Sequence, residues 1–315
     1  MDRNWIGRIG HWPLATKALT VLAPRFCFAH LLRNRGEARS RCILSFDCDF
    51  PRDIEVLKRL VQLLGEFSAR ASFACIGQWV LKYPDEHRLL VASGHEIINH
   101  TETHPNLYHP SYDYAREKGL SREYFNRISS DARRLEIERG HATLSDILGV
   151  APVGFRTPHF GALHVDDVYP VLANLGYRFS SSTMTSRVGP VPFQAHKGVW
   201  EIPVSPCPEH PFGVFDSWHS IGKCNASHSE VGGLTSLFAD LLDAVIVGNR
   251  GGLVNIYLDP WDAVESGELR GMLELLRERS ILTSSYRDLC DDMDEVSDPS
   301  CQDRGALQEL ESKPI

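Results

Sequence analysis

The sequence contains no G-x-G-x-x-G and no G-x-x-x-x-G-K-[ST] pattern, so the glycine-rich cradles that hold a dinucleotide or a nucleotide phosphate are not encoded. No G-x-S-x-G elbow is present, and no cysteine has the histidine context of a thiol nucleophile. Serine and cysteine hydrolases are therefore left without support. No two cysteines form a C-x-x-C pair. Positive charge is in short supply: 33 Lys and Arg against 41 Asp and Glu give a formal net charge of −8. That balance argues against a general affinity for nucleic acid or an anionic membrane, and it is compatible with a neutral sugar or a small substrate. Low-complexity blocks and short-period repeats are also missing. Residues 19–32 are partly apolar, but Pro24, Arg25 and His30 interrupt them, and the stretch is too short to span a bilayer. It lacks the unbroken apolar core and small-residue cleavage site of a signal peptide; a cytoplasmic location is the default expectation.

The chain does have length and apolar content. Its 315 residues, 43% of them hydrophobic, suffice for a large core. The eight cysteines are scattered, with Cys42, Cys48 and Cys75 in or beside apolar runs, which reads as buried free thiols in a reducing compartment. Residues 1–40 read as an N-terminal extension in which Trp5, Ile6, Ile9, Trp12, Leu14, Leu19 and Leu22 interleave with basic residues. Packing of this extension on the main domain is expected, with a membrane-surface helix as the alternative. From residue 42, strand-like runs alternate with helical spacing. Strands are expected at 42–46, 71–76, 96–99, 153–155, 177–181, 199–204, 253–258 and 281–283. Helices are expected at 53–67, 84–92, 121–148 (with Gly140 bending it), 165–175, 234–247, 269–278 and 285–291. Residues 105–120 read as a polar loop carrying Tyr108, Tyr112 and Tyr114, and 205–232 as a long irregular insert. The alternation predicts one α/β domain over residues 41–291, built on a mainly parallel sheet or barrel. An acidic, flexible tail is expected at 292–315.

In such folds chemistry collects just past the C-terminal ends of strands, and four strand ends here carry unusual residues. The first is Phe46-Asp47-Cys48-Asp49. Extended geometry turns both carboxylates to one side, where each raises the pKa of the other unless a cation lies between them. Cys48 then turns into the core. The second is His100-Thr101-Glu102-Thr103-His104, a pair that one helical face or turn can bring to a single metal ion. With Asp49 it makes a two-His, one-carboxylate set that leaves positions open. The third is Arg156-Thr157-Pro158-His159-Phe160-Gly161; Arg156 suits a bidentate contact to Asp47, and the loop's N–H groups suit an oxyanion. The fourth is Leu258-Asp259-Pro260-Trp261-Asp262, where Asp259 faces the same cavity and Trp261 reads equally as a sugar-stacking wall or a core side chain.

Together and in this order these motifs resemble the polysaccharide deacetylase family (NodB-homology, carbohydrate esterase type), over residues 41 to 290. The resemblance implies a single distorted (β/α) barrel of about seven strands and removal of an N-acetyl or related acyl group from a sugar or sugar conjugate. It implies that Asp49, His100 and His104 hold one divalent metal, with Zn²⁺ as the first choice, and that Asp47 is the general base. It implies that Arg156 orients and acidifies Asp47 and that the backbone N–H of His159 faces the oxyanion.

The fourth strand end departs from the family, which has a histidine where this chain has Asp259. The aspartate that orients that histidine is not evident near 177–182, where Ser180, Ser181 and Ser182 stand instead. Three readings stay open: Asp259 is itself the acid, kept protonated by burial; a histidine of the insert, His210 or His219, enters the site; or the acid is lost. The alternatives to a sugar deacetylase are an amide hydrolase of the same fold acting on a non-carbohydrate substrate and a carbohydrate-binding relative with impaired turnover. Oligomeric state and exact substrate are not encoded in side-chain lists.

Overall fold

Strand β1 (Arg41–Cys48) is buried along almost its whole length, and its two faces meet different neighbours. Cys42, Leu44, Phe46 and Cys48 enter the main apolar cluster beneath the helices. Ile43 enters a smaller cluster on the other face, and Ser45 and Asp47 share that face by the two-residue period of a strand. A computed structural model describes residues 12–32, 40–106, 121, 123–222, 233–246 and 252–297.

The remaining strands are β2 (Ser72–Cys75), β3 (Glu96–Asn99), β4 (Gly154–Phe155), β5 (Phe179–Ser180), β6 (Phe193–His196), β7 (Val199–Glu201), β8 (Leu253–Leu258) and β9 (Leu282–Thr283). Their order in the sheet is β6-β7-β5-β4-β3-β2-β1-β8, with β9 also pairing β1. The path from β7 to β8 is parallel throughout and matches the expected seven-stranded barrel. β6 adds an antiparallel edge that the sequence did not signal, because its side chains are mostly exposed and it buries no apolar face.

The sheet curls until β8 meets the segment after β7. There the Ser205 N–H donates to the Asn255 carbonyl at 2.7 Å, and Asn255 Nδ2 donates to the carbonyls of Ile202 and Pro203 at 3.1 and 3.0 Å. One backbone bond and one amide side chain thus stand where a ladder would close a regular barrel.

The interior is packed. The final helix, Tyr286–Ser297, sends Tyr286, Leu289 and Cys290 against Ile43, Ala74, Ile98, Phe179 and Ile202. Its first N–H groups, of Tyr286 and Arg287, donate to Glu96 at 3.0 Å each. Glu96 begins β3, so this helix plugs the N-terminal mouth and leaves the C-terminal mouth for the site. The helix extends past residue 291, where the tail was expected to begin. Asp292 pairs with Arg41, and Asp294 pairs with Arg178 at 2.7 Å and accepts from Trp200 Nε1 at 3.0 Å. These partners, remote in sequence, hold the acidic turn in place.

Two more of the expected helices differ in their bounds. The first, expected at 53–67, is divided into Pro51–Glu55 and Leu57–Glu66. The long one begins at Ser130, not 121. Ser129 caps it by accepting the Ala132 N–H at 3.2 Å, and Gly149 ends it in the left-handed region. Gly140 does not break this helix; it lets the helix approach the His100 loop. A Cβ there would lie 2.5 Å from Asn99 Oδ1 and 2.9 Å from the Thr101 carbonyl carbon.

Upstream, Pro13–Leu22 and Pro24–Leu31 are helices. Phe28 and Leu32 pack into the main cluster, while Trp12 is 69% exposed. No described helix is long and apolar enough to cross a membrane. Six cysteines of the described residues are free and buried. Cys224 and Cys301 lie outside the described residues, as do Tyr108, Tyr112 and Tyr114.

Candidate metal centre and active site

The two histidines leave β3 on a tight turn, not on a helix. Thr101 and His104 both adopt positive φ, 70° and 51°, a region that non-glycine residues enter only when held. Asn99 Oδ1 accepts the Thr101 N–H at 2.9 Å, and Thr101 Oγ accepts the His104 N–H at 3.0 Å. The turn brings the two imidazole centroids to 4.7 Å.

Asp49, just past β1, faces both rings. Its Oδ1 lies 3.3 Å from His100 Nε2 and 3.4 Å from His104 Nε2. His100 Nδ1 lies 2.8 Å from the Arg156 carbonyl, which can only accept; the ring hydrogen therefore sits on Nδ1, and Nε2 offers a lone pair. Asp49 Oδ1 and His100 Nε2 are buried and have no hydrogen-bond partner. Two orphaned acceptors facing each other are costly unless a cation lies between them. Bonds of about 2.0–2.1 Å at tetrahedral angles put neighbouring ligand atoms about 3.3–3.4 Å apart, which is the spacing from Asp49 to each histidine. Two of the three ligands are held in the ligating state. Burial would lower the third, His100, but Asp49 and Asp47 raise it, an attraction that a cation between these groups would replace. Burial pushes His104 down to about 3, so its ring is neutral. Burial would raise Asp49, but His104 and His100 outweigh it and hold the carboxyl at about 2.

Asp47 is buried on the inner face of β1, its Oδ2 4.0 Å from His100 Nε2. Arg156 Nη1 donates to its Oδ1 at 2.5 Å. The guanidinium also donates to Ser45 Oγ at 2.9 Å, Tyr286 OH at 2.6 Å and the Ser181 carbonyl at 3.2 Å, beneath the rings of Phe160 and Tyr257 at 4.9 and 5.7 Å. The family resemblance implies that Arg156 acidifies Asp47. Burial outweighs that pull: it holds the Asp47 carboxyl above its ordinary range, although Arg156 and His100 draw it down. The proton affinity that results is that of a better base. The three serines in place of an aspartate serve this loop. Ser181 receives Arg156, Ser182 Oγ accepts the Thr157 N–H at 2.9 Å, and Ser180 donates to Ser182 at 2.8 Å.

A cavity of about 30 Å³ lies over these groups, lined by Asp47, Asp49, Phe50, Asn106, His159, Phe160, Trp218, His219, Tyr257 and Asp259. His159 enters it from a turn at φ 58°. Asp259 is 3% exposed. Burial, then the charges of Asp262, Asp53, Asp49 and Asp47, hold its carboxyl far above the usual range, which favours its protonated form. Its partner is Ser217, whose Oγ is 3.1 Å from Asp259 Oδ2 and accepts the Asp259 N–H at 2.7 Å.

Of the two insert histidines, His219 lines this cavity, whereas His210 lines only an adjoining apolar chamber of about 280 Å³ with Met184, Cys207, Phe212 and Val214. Trp261, expected as an aromatic wall, lines neither space; its backbone N–H donates to Asp53 at 3.1 Å. Trp218 takes that place, stacked on Phe50 at 5.9 Å. Sequence reasoning missed Asp216, Ser217, Trp218 and Tyr257. Only the Asp216-x-x-His219 spacing within the insert offered a signal.

The polysaccharide deacetylase family matches residues 35–180. A peptidoglycan-N-acetylglucosamine deacetylase of Bacillus cereus is 26% identical over 121 residues, 38% of this chain and 37% of the relative. A chitooligosaccharide deacetylase of a Bradyrhizobium species is 42% identical over 48 residues, 15% of this chain and 22% of the relative. The chain thus spans little more than a third of the first of these relatives and less of the second. Among solved structures, a Mycobacterium smegmatis protein assigned as a polysaccharide deacetylase superposes with a TM-score of 0.60 at 19% identity, covering 82% of this chain and 92% of the other. At that identity the likeness speaks for the fold.

Proposed function

Residues 35–180 belong to a polysaccharide deacetylase domain of the NodB type, and from that premise we propose that the protein is a metal-dependent hydrolase. In this reading it removes an N-acetyl or related acyl group from a sugar or sugar conjugate, leaving a carboxylate and a free amine. One observation carries the reading: a buried carboxylate gripped by a buried arginine adjoins an Asp-His-His cluster in which Asp49 Oδ1 faces His100 Nε2 with neither hydrogen-bonded, and both Asp47 and Asp49 open onto one cavity.

Asp49, His100 and His104 would hold the ion, and two imidazoles with one carboxylate suit Zn²⁺. When bound, such an ion supplies an acidified water and a Lewis acid for the carbonyl oxygen. The chain's own groups do the rest. Asp47 accepts the proton of the attacking water. Arg156 keeps Asp47 aimed at that water, and its own carbonyl fixes the His100 tautomer. The His159 N–H is assigned to the developing oxyanion. The departing amine needs a proton, and the wall opposite Asp47 carries two groups able to bear one, Asp259 and His219.

The test is metal analysis paired with turnover. The purified chain, loaded with Zn²⁺ and dialysed, is expected to retain about one ion per chain and to release free amine from acetylated chitooligosaccharides or an N-acetylated sugar conjugate. A chelator is expected to abolish turnover, and His104→Ala to lose the ion. Failure to retain any divalent ion would sink the proposal. Retention with no turnover on any acylated sugar would favour a binding protein, or an amide hydrolase of another substrate class.

A further inference from the structure

The reading above leaves the proton donor unassigned, and the position where the family resemblance places a histidine holds Asp259. We infer that the donor has moved to another segment: His219, oriented by Asp216, protonates the departing amine. This assignment rests on the deacetylase reading.

Asp216 is buried in the wall and anchored by three donors. Its Oδ1 accepts the backbone N–H of His219 at 2.9 Å. Its Oδ2 accepts the Tyr257 hydroxyl at 2.9 Å and faces His219 Nδ1 at 2.5 Å. A carboxylate at Nδ1 puts a hydrogen there, and the rigid ring then directs Nε2 away from Asp216. The His219 side chain is 50% exposed and lines both the cavity over Asp47 and the adjoining chamber. Solvent can therefore reload it after each turnover. The segment is tied to the metal side, because Trp218 stacks on Phe50, the residue after Asp49. His219 itself lies in a short π-helical turn, Trp218–Gly222, a rare geometry that is frequent at functional sites.

Asp259 is less suited: its Oδ2 is engaged by Ser217 on its own wall, whereas Asp216 sets the orientation of the His219 ring.

The chemistry balances. Water adds to the amide carbon as Asp47 takes its proton. The C–N bond then breaks, and its electron pair takes the hydrogen from Nε2 of doubly protonated His219. The carboxylic acid and amine depart, the acid losing its remaining proton to solvent; Asp47 releases its proton to solvent, and His219 regains one from solvent. Asp216 never touches the substrate; it is a positioning residue.

The experiment uses the Zn²⁺-loaded full chain and two substrates, an N-acetylated chitooligosaccharide and 4-nitrophenyl acetate, whose leaving group departs without a proton. His219→Gln is expected to lower kcat on the amide by about 10²–10³, to lose less than tenfold on the nitrophenyl ester, and to keep its metal. Asp216→Asn is expected to show the same preference for the ester, with KM for the amide little changed; an unshifted thermal midpoint identifies the loss as positional. Asp259→Asn is expected to lose both substrates in equal proportion. Equal losses of His219→Gln on the two substrates, or an amide-specific loss in Asp259→Asn, would overturn the assignment. If the loaded wild type cleaves neither substrate, the deacetylase reading fails first and the donor falls with it.

Discussion

Arg156 Nη1 lies 2.5 Å from Asp47 Oδ1, and neither side chain is more than 3% exposed. The pair spans two strand ends 109 residues apart in sequence. Its other partners, Ser45, Tyr286 and Ser181, use the guanidinium as a fork that a single ammonium cannot replace. Arg156→Lys is therefore expected to fold and bind metal while losing roughly 10–100-fold in kcat, the scale of losing an orienting partner. Arg156→Met leaves a buried carboxylate unpaired and is expected to cost about 3–5 kcal/mol of stability. Urea denaturation with steady-state kinetics checks both.

Gly140 faces the turn that carries the two histidines. A methyl group there would lie 2.5 Å from Asn99 Oδ1 and 2.9 Å from the Thr101 carbonyl carbon. Asn99 Oδ1 is the acceptor that holds Thr101 at positive φ. In Gly140→Ala the helix must retreat or the turn must shift, at about 1–3 kcal/mol. The expected outcome is a lower melting temperature together with weaker Zn²⁺ affinity by competition titration. An Ala variant with a raised melting temperature, following helix propensity alone, would show that the close approach is not needed.

His95 offers a pH test far from the metal centre. Burial, with the charge of Arg70, pushes its pKa down to about 4, against about 6.5 in an unfolded chain. Between those values the unfolded state binds more protons than the folded state, so stability rises with pH across this window and is lost as pH falls through it. His95→Gln is expected to flatten the dependence of melting temperature on pH between about 6.5 and 4, with little change above pH 7. An identical slope in both proteins would refute this.

Much of the site was legible in the sequence because its parts are local. A strand end is marked by its apolar run, and the period of two turns Asp47 inward while Cys48 joins the outer cluster. The His100–His104 turn is likewise contained in five residues. The start of the long helix at Ser130 is also set locally, by the Ser129 cap, where an apolar periodicity from 121 had pointed earlier. Elsewhere the deciding contact came from far away. Trp261 lines neither space of the site, and its backbone N–H at the start of its helix is held by Asp53, 208 residues distant. The last helix outruns residue 291 because Arg41, Arg178 and Trp200 hold its acidic side chains.

The sequence by itself determined the order of the strands that carry the motifs and pointed to the candidate metal ligands and the proposed base. These depend on residue type and short spacing. Tertiary structure decided the proton inventory. Whether Asp47 is a strong or weak base and whether Asp259 keeps its proton follow from how much water reaches each carboxyl and which charges surround it. So does the assembly of a donor pair from Asp216 and His219, held by Tyr257 from a strand 41 residues away. Burial and long-range charge are properties of the folded chain, and no local pattern of residues records them.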